Sequence, residues 1–203
     1  MQGLSLTTAS SGYLVRGKLK RKEASSTVWS CGHCACGQRR RNKLQQLSEI
    51  TIVPMTPADY DEVRALWMTI RGFGIRALDD SREDIERFIA RNPTTSVVAR
   101  DGKKIVGSIL CGSDGRQGAL YHVCVAKEYR RRGIGTQMVA FCMHQLRYMG
   151  INKVALIAFT TNEAGNAFWN KIGWKKKTNV NYYEFELNEK NITRFIGEDN
   201  EDS

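Results

Sequence analysis

The stretch Val123-Cys124-Val125-Ala126-Lys127-Glu128-Tyr129-Arg130-Arg131-Arg132-Gly133-Ile134-Gly135-Thr136 constrains this chain more than any other. A β-rich run ends at Val125, a basic turn containing glycine follows, and apolar residues then recur at helical spacing until Gly150. That pattern predicts a strand over 119–125 passing through a tight turn into a helix over about 134–149. A helix N-terminus presents backbone N–H groups without intrahelical partners and a partial positive charge, which suits phosphate. Glycines at 133 and 135 let those amides approach a pyrophosphate closely, and Arg130, Arg131 and Arg132 supply counter-charge. A surface basic turn that needs glycine only for its backbone is the alternative.

The flanking elements can be read in the same way. Ile50 to Val53 is a short strand. Thr56 then offers an N-cap with Pro57 at the first helical position, and Tyr60, Val63, Trp67 and Ile70 mark an amphipathic helix over about 57–70. The stretch 71–76 breaks it, Ser81-Arg82-Glu83-Asp84 fits a capping box for a second helix, and Asn92-Pro93 closes that helix. Ser96 to Arg100, a turn at Asp101-Gly102 and Ile105 to Cys111 form a hairpin, and the polar loop 112–118 leads into the strand that ends at Val125. Beyond Gly150 come a strand over 153–159, a helix over 163–171 stopped at Gly173, and a last strand over 182–187. The order β-α-α-β-β-β-α-β-α-β implies one α/β domain, 49–190, with a mixed sheet and helices on both faces.

The basic turn resembles the coenzyme A signature of the GNAT superfamily of N-acetyltransferases, Arg/Gln-x-x-Gly-x-Gly/Ala between the fourth strand and the third helix. About 30 residues on, Asn162-Glu163-Ala164-Gly165-Asn166-Ala167-Phe168-Trp169-Asn170-Lys171-Ile172-Gly173-Trp174 is similar to the family's second signature, with the alanine displaced from position 165 to 167. The resemblance covers roughly 50–188. It implies a single, mostly antiparallel sheet flanked by helices, with acetyl-CoA as co-substrate and a primary amine, on a small molecule or a peptide, as acceptor. By position, the backbone around Cys124, through Val123 and Val125, is expected to bond the pantetheine arm. The amides of Arg131, Arg132, Gly133, Ile134, Gly135 and Thr136 are expected to hold the pyrophosphate, with Arg130 beside them. Asn162 and Asn166 are expected near the arm. A splay between the strands at 119–125 and 153–159 would open the cleft, because full pairing would leave no amides for the ligand.

The family transfers acetyl directly to the amine in a ternary complex, so a base or a water chain must first deprotonate an ammonium of pKa near ~10. A Tyr in the second signature often protonates the departing thiolate. Here that position is Trp169, whose indole is no usable acid. Tyr121, Tyr182 or Tyr183 could take that role, the thiolate could leave unaided at a pKa near ~8.5, or the fold could bind coenzyme and catalyse poorly as a regulatory protein. For the base, Glu163 adjoins the coenzyme signature, and Asp79 and Asp80 lie in the loop where the family often builds its acceptor site. Asp114 reads as turn chemistry. Strand alternation turns His122 away from Tyr121 and Val123, which favours a structural role.

Charge argues about the remaining classes. The chain carries net +10, yet residues 1–48 hold nine basic residues against Glu23, so the body is nearly neutral. That first segment lacks any helical or strand period and reads as a disordered basic extension, or as upstream sequence from a miscalled start. Its Ser- and Arg-rich character also faintly suits an organelle transit peptide. Cys31, His33, Cys34 and Cys36 form a single cluster without the second ligand pair that zinc prefers, so no metal is expected. Few aromatics interleave its cations, which disfavours nucleic-acid binding. No apolar run reaches the ~18 residues of a membrane span. Cys111, Cys124 and Cys142 are expected to be buried free thiols, and Glu198 to Asp202 lie in an acidic tail, 191–203. The sum is a cytoplasmic acyltransferase, monomer or homodimer.

Overall fold

The computed structural model describes residues 50–197, all within one unit, Leu47–Ser203. The expectations for residues 1–48, including the cysteine cluster, and for Glu198 to Asp202 lie outside the described residues. The elements run β1 (Ile50–Pro54), α1 (Tyr60–Trp67), β2 (Gly74–Arg76), α2 (Arg82–Arg91), β3 (Val97–Asp101), β4 (Lys104–Ser113), β5 (Gly118–Val125), α3 (Ile134–Tyr148), β6 (Val154–Ala155), α4 (Glu163–Lys171) and β7 (Thr193–Phe195). Short 3-10 turns at Pro57–Asp59 and Lys127–Tyr129 lead into α1 and out of β5. The main sheet has the order β1-β3-β4-β5-β6, antiparallel except for the parallel β5–β6 pair. The mixed, mostly antiparallel α/β architecture is as expected.

Alternation along the central strands feeds two apolar layers. On one face Val98, Leu110 and Cys124 pack under α1 and α2 with Val63, Trp67, Ile85 and Ile89. On the other, Val97, Val106, Ile109, Cys111 and Leu120 pack under α3 with Met138, Cys142 and Leu146. Among the described residues the three cysteines, Cys111, Cys124 and Cys142, are free and buried. Burial of the Cys124 thiol, beside Ser108, pushes its pKa up to about 11. The Cys142 thiol is raised too, first by its contact with Cys111 and then by burial.

Caps form where the sequence places them. Asp59 Oδ2 accepts from the Thr56 N–H at 2.9 Å, and Ser81 Oγ accepts from the Asp84 N–H at 3.3 Å to start α2. The strands near the C-terminus differ from expectation. Only Val154 and Ala155 of the stretch 153–159 pair with a neighbour, and residues 182–187 carry no strand. Instead Gly74–Arg76, expected to be a breaker, pairs antiparallel with Thr193–Phe195. Alternation within 182–187 describes a segment able to form a strand, but pairing needs an edge within reach.

Candidate functional site

β5 and α3 set the geometry of the site. β5 pairs with β6 only at Gly118↔Val154 and Ala119↔Ala155, so from Leu120 onward its outer edge has no strand beside it. The expected splay is present. The Ala126 N–H is taken by the Val106 carbonyl on the β4 side at 2.8 Å. Alternation therefore turns the backbone groups of Val125, and of Val123 two residues earlier, toward the open edge. Arg130 Nε already reaches the Val125 carbonyl there, at 2.9 Å. Cys124 points its side chain into the core, and its backbone groups, alternating with those of Val123 and Val125, face β4 rather than the edge.

The turn after β5 gathers donors. Arg131 (φ 65°) and Gly133 (φ 81°) both adopt left-handed conformations, and such alternation makes successive amides converge on one concavity. The first amide of α3 to reach a carbonyl four residues back is Gln137, which bonds Gly133 at 3.1 Å. Those of Ile134, Gly135 and Thr136 have no such partner, and no side chain caps the helix. Around this cradle Arg132 stacks on Tyr129 (5.1 Å to the ring centre) and donates to the Glu128 carbonyl, while Arg131 is exposed. The side chain of Ile134, like that of Cys124, is buried, here under the sheet, which leaves only its amide for the site.

The far wall comes from α4. Asn162 caps it, its Oδ1 accepting from the Gly165 N–H at 2.9 Å. Asn166 Nδ2 bonds the carbonyls of Phe159 and Asn162, each at 2.9 Å, and so ties the incoming segment to the helix. Both side chains hold the local backbone. The Phe168 ring lies 3.4 Å from where a Cβ on Gly135 would sit, an ordinary contact distance that places α4 directly against the start of α3. Trp169 is wedged between Phe168 and Trp174, with ring centres 4.9 and 5.0 Å away. It is a packing residue that joins the layer under α3. Glu163 is exposed in the first turn of α4.

On the opposite side of β5 the acceptor candidates assemble. Tyr121 is half exposed and meets Phe88 of α2 edge-on at 6.1 Å; burial, then the neighbouring Tyr182, raises its pKa. A cavity of about 290 Å³ adjoins it, lined by Phe88, Arg91, Asp114 and Gln117 among others. Tyr182 and Tyr183 are more exposed, and the Tyr182 hydroxyl donates to Glu184 at 3.3 Å. Arg76 bridges Glu184 (2.5 Å) and the exposed Asp79 (3.3 Å). Asp114 accepts from the N–H groups of Gln117 and Arg116, which lower its pKa, as its reading as a turn residue implies.

Asp80 and His122 depart from the sequence reading. Asp80 is buried, and its Oδ1 lies 2.6 Å from His122 Nε2. The register of β4 and β5 passes from Leu110↔Tyr121 to Ser108↔Cys124, so one residue of β4 faces two of β5. His122 takes up this bulge with φ 47°. The bulge breaks the alternation on which its orientation was predicted. Tyr121, opposite Leu110, and His122, stacked 4.4 Å from Trp67 and 5.4 Å from Phe73, both face α1 and α2, while Val123 faces α3. No local signal in the sequence marks this bulge. The 42-residue separation of the pair hid it as well.

Comparison with known proteins gives a consistent result. Residues 60–174 match the model described as "Acetyltransferase (GNAT) family". An acetyltransferase of Sodalis glossinidius is 32% identical over 122 residues, which cover 60% of this chain and 84% of that protein. An acetyltransferase of Photorhabdus laumondii is 33% identical over 108 residues, 52% of this chain and 73% of that one. Among solved structures, the aminoglycoside acetyltransferase AAC(6')-Iy, bound to a coenzyme A bisubstrate analogue, superposes with a TM-score of 0.56 at 17% identity, over 68% of this chain and 99% of that one. PaiA N-acetyltransferase of Thermoplasma acidophilum, in complex with coenzyme A, gives 0.56 at 17% identity, over 64% and 91%. At these identities the structures establish the fold.

Proposed function

The chain belongs to the GNAT acetyltransferase family, and on that premise we propose that it transfers an acetyl group from acetyl-CoA to a primary amine. The coenzyme lies along the open edge of β5, with its pyrophosphate at the start of α3. The observation that carries this reading is the break in β5–β6 pairing after Ala119 and Ala155, continuous with the unsatisfied amides of Arg131 to Thr136. A backbone edge and a cationic cradle in series match an amide-rich arm joined to a pyrophosphate.

The chemistry follows from that placement. The outward N–H groups of Val123 and Val125 fix the pantetheine amides, so the thioester arrives in a defined orientation. An N–H on this strand polarises the carbonyl as its oxygen gains charge. The departing sulfur receives its proton from Tyr121, which stands on the strand itself, half exposed beside Phe88. Tyr182 and Tyr183 line the approach. Asp79 and Asp114 offer carboxylates to an incoming cation. Among the described residues no helix is long and apolar enough to cross a membrane.

An amine panel spanning polyamines, aromatic amines, amino acids and N-terminal peptides, read by free thiol release, tests the reading. Acceptor-dependent release with at least one amine supports it. Coenzyme binding with no release across the panel would favour the regulatory alternative.

A further inference from the structure

We propose that His122 is the base that accepts the proton from the acceptor amine, and that Asp80 is the positioning residue that holds its ring. The proposal deepens the acetyltransferase reading and rests on it. Four observations support it. His122 immediately precedes Val123, whose backbone faces the coenzyme edge, yet the bulge sends its ring to the side of α1, α2 and the loop between them. Asp80 belongs to that loop, so the pair joins the strand that presents the thioester to the loop expected to meet the acceptor.

The carboxylate is immobilised. Its Oδ2 accepts from the Arg76 N–H at 2.7 Å, its carbonyl accepts from the Tyr60 hydroxyl at 2.9 Å, and its side chain is 5% exposed. Oδ1 therefore accepts from Nε2–H, and the neutral ring carries its lone pair on Nδ1. Among the described residues no buried side-chain nitrogen or oxygen lacks a partner, and Nδ1 bonds to none, so Nδ1 is not sealed in the core; the His122 side chain as a whole is 16% exposed. An imidazole clamped at one nitrogen and open at the other is oriented for proton transfer.

The proton balance is complete. Nδ1 takes one proton from the ammonium, and the freed lone pair attacks the thioester carbonyl carbon. The C–S bond breaks with its electron pair leaving on sulfur, which takes its proton from Tyr121 to become the free thiol, and the second amine proton restores the Tyr121 hydroxyl. The imidazolium then returns its proton to solvent while Asp80 stabilises the cation.

His122→Gly is the incisive variant. At φ 47° glycine removes the ring without straining the bulge and leaves room for a small molecule between Trp67 and Phe73. Thiol release is measured with spermidine, tyramine, lysine and an alanyl peptide, and with no amine added, alongside calorimetry with acetyl-CoA. The expected result is a kcat lower by about 10²-fold or more, unchanged acetyl-CoA affinity, and partial recovery with added imidazole in the variant but not in the wild type. Asp80→Asn, which keeps the Arg76 N–H bond, should lower kcat with little change in KM. Activity within threefold of wild type in His122→Gly, or a loss that imidazole leaves untouched in a folded variant that binds acetyl-CoA, overturns the assignment. Failure of the wild type itself to bind acetyl-CoA would instead overturn the underlying enzyme reading.

Discussion

Substituting Gly133 separates the fold's requirement at this position from the ligand's. With φ at 81° and ψ at 0°, Gly133 occupies the left-handed region at the N-cap of α3. A Cβ there would meet only Gln137 Nε2, at 3.8 Å, so no collision contributes. Gly133→Ala therefore costs the backbone term alone, about 1–2 kcal/mol. For a domain of this size that lowers Tm by roughly 2–8 °C. Gly133→Asp costs less in stability, since Asp is among the few residues that visit this region. Its carboxylate, however, would stand about 5 Å from a bound pyrophosphate, where two like charges repel by about 3 kcal/mol at an effective dielectric of 20. That corresponds to a loss of affinity on the order of 100-fold, against less than about tenfold for Ala. The two assays should thus rank the variants oppositely: by thermal melting Gly, then Asp, then Ala; by calorimetry with acetyl-CoA Gly, then Ala, then Asp. Equal affinities for the Asp and Ala variants would refute the placement of phosphate at this turn.

Alkaline stability gives an independent check on the core. With the Cys124 thiol raised from an ordinary 9.0 to about 11, its contribution is complete below pH 9 and is lost as pH rises through 11. Cys124→Ala should therefore lose about 3 kcal/mol less than wild type over that window in urea titrations; parallel curves would show that the thiol does not titrate there. Asn166→Ala removes the side-chain donor to the carbonyls of Phe159 and Asn162, each of which keeps a backbone donor, and a Tm drop corresponding to about 1 kcal/mol is expected, together with weaker acetyl-CoA binding as α4 loosens. Unchanged coenzyme affinity in that variant would show that the α4 segment does not border the ligand.

How far the sequence revealed this molecule depends on the range of each interaction. Ser81, Pro57, Gly133 and the Asp114 turn act within a few residues, and each sits where its local chemistry placed it. Helices on both faces of the sheet followed from the order of the elements, each of them marked within its own span. What could not be read depends on distant partners. Gly74–Arg76 is a strand only because Thr193–Phe195 lies beside it, and 182–187 is not one despite its pattern. Trp169 departs from the family signature, and its packing against Phe168 and Trp174 accounts for it. Strict alternation assigns His122 a structural role, and a single bulge residue undoes that alternation.

The central claim is that coenzyme A binds along β5 and at the start of α3, and amide chemical shifts test it most directly. On titrating acetyl-CoA into isotopically labelled protein, the account predicts the largest perturbations at Val123, Val125 and Arg131 to Thr136, with smaller ones at Asn162. Perturbations confined to the cavity beside Phe88 and Arg91, or none anywhere at saturating acetyl-CoA, would contradict it.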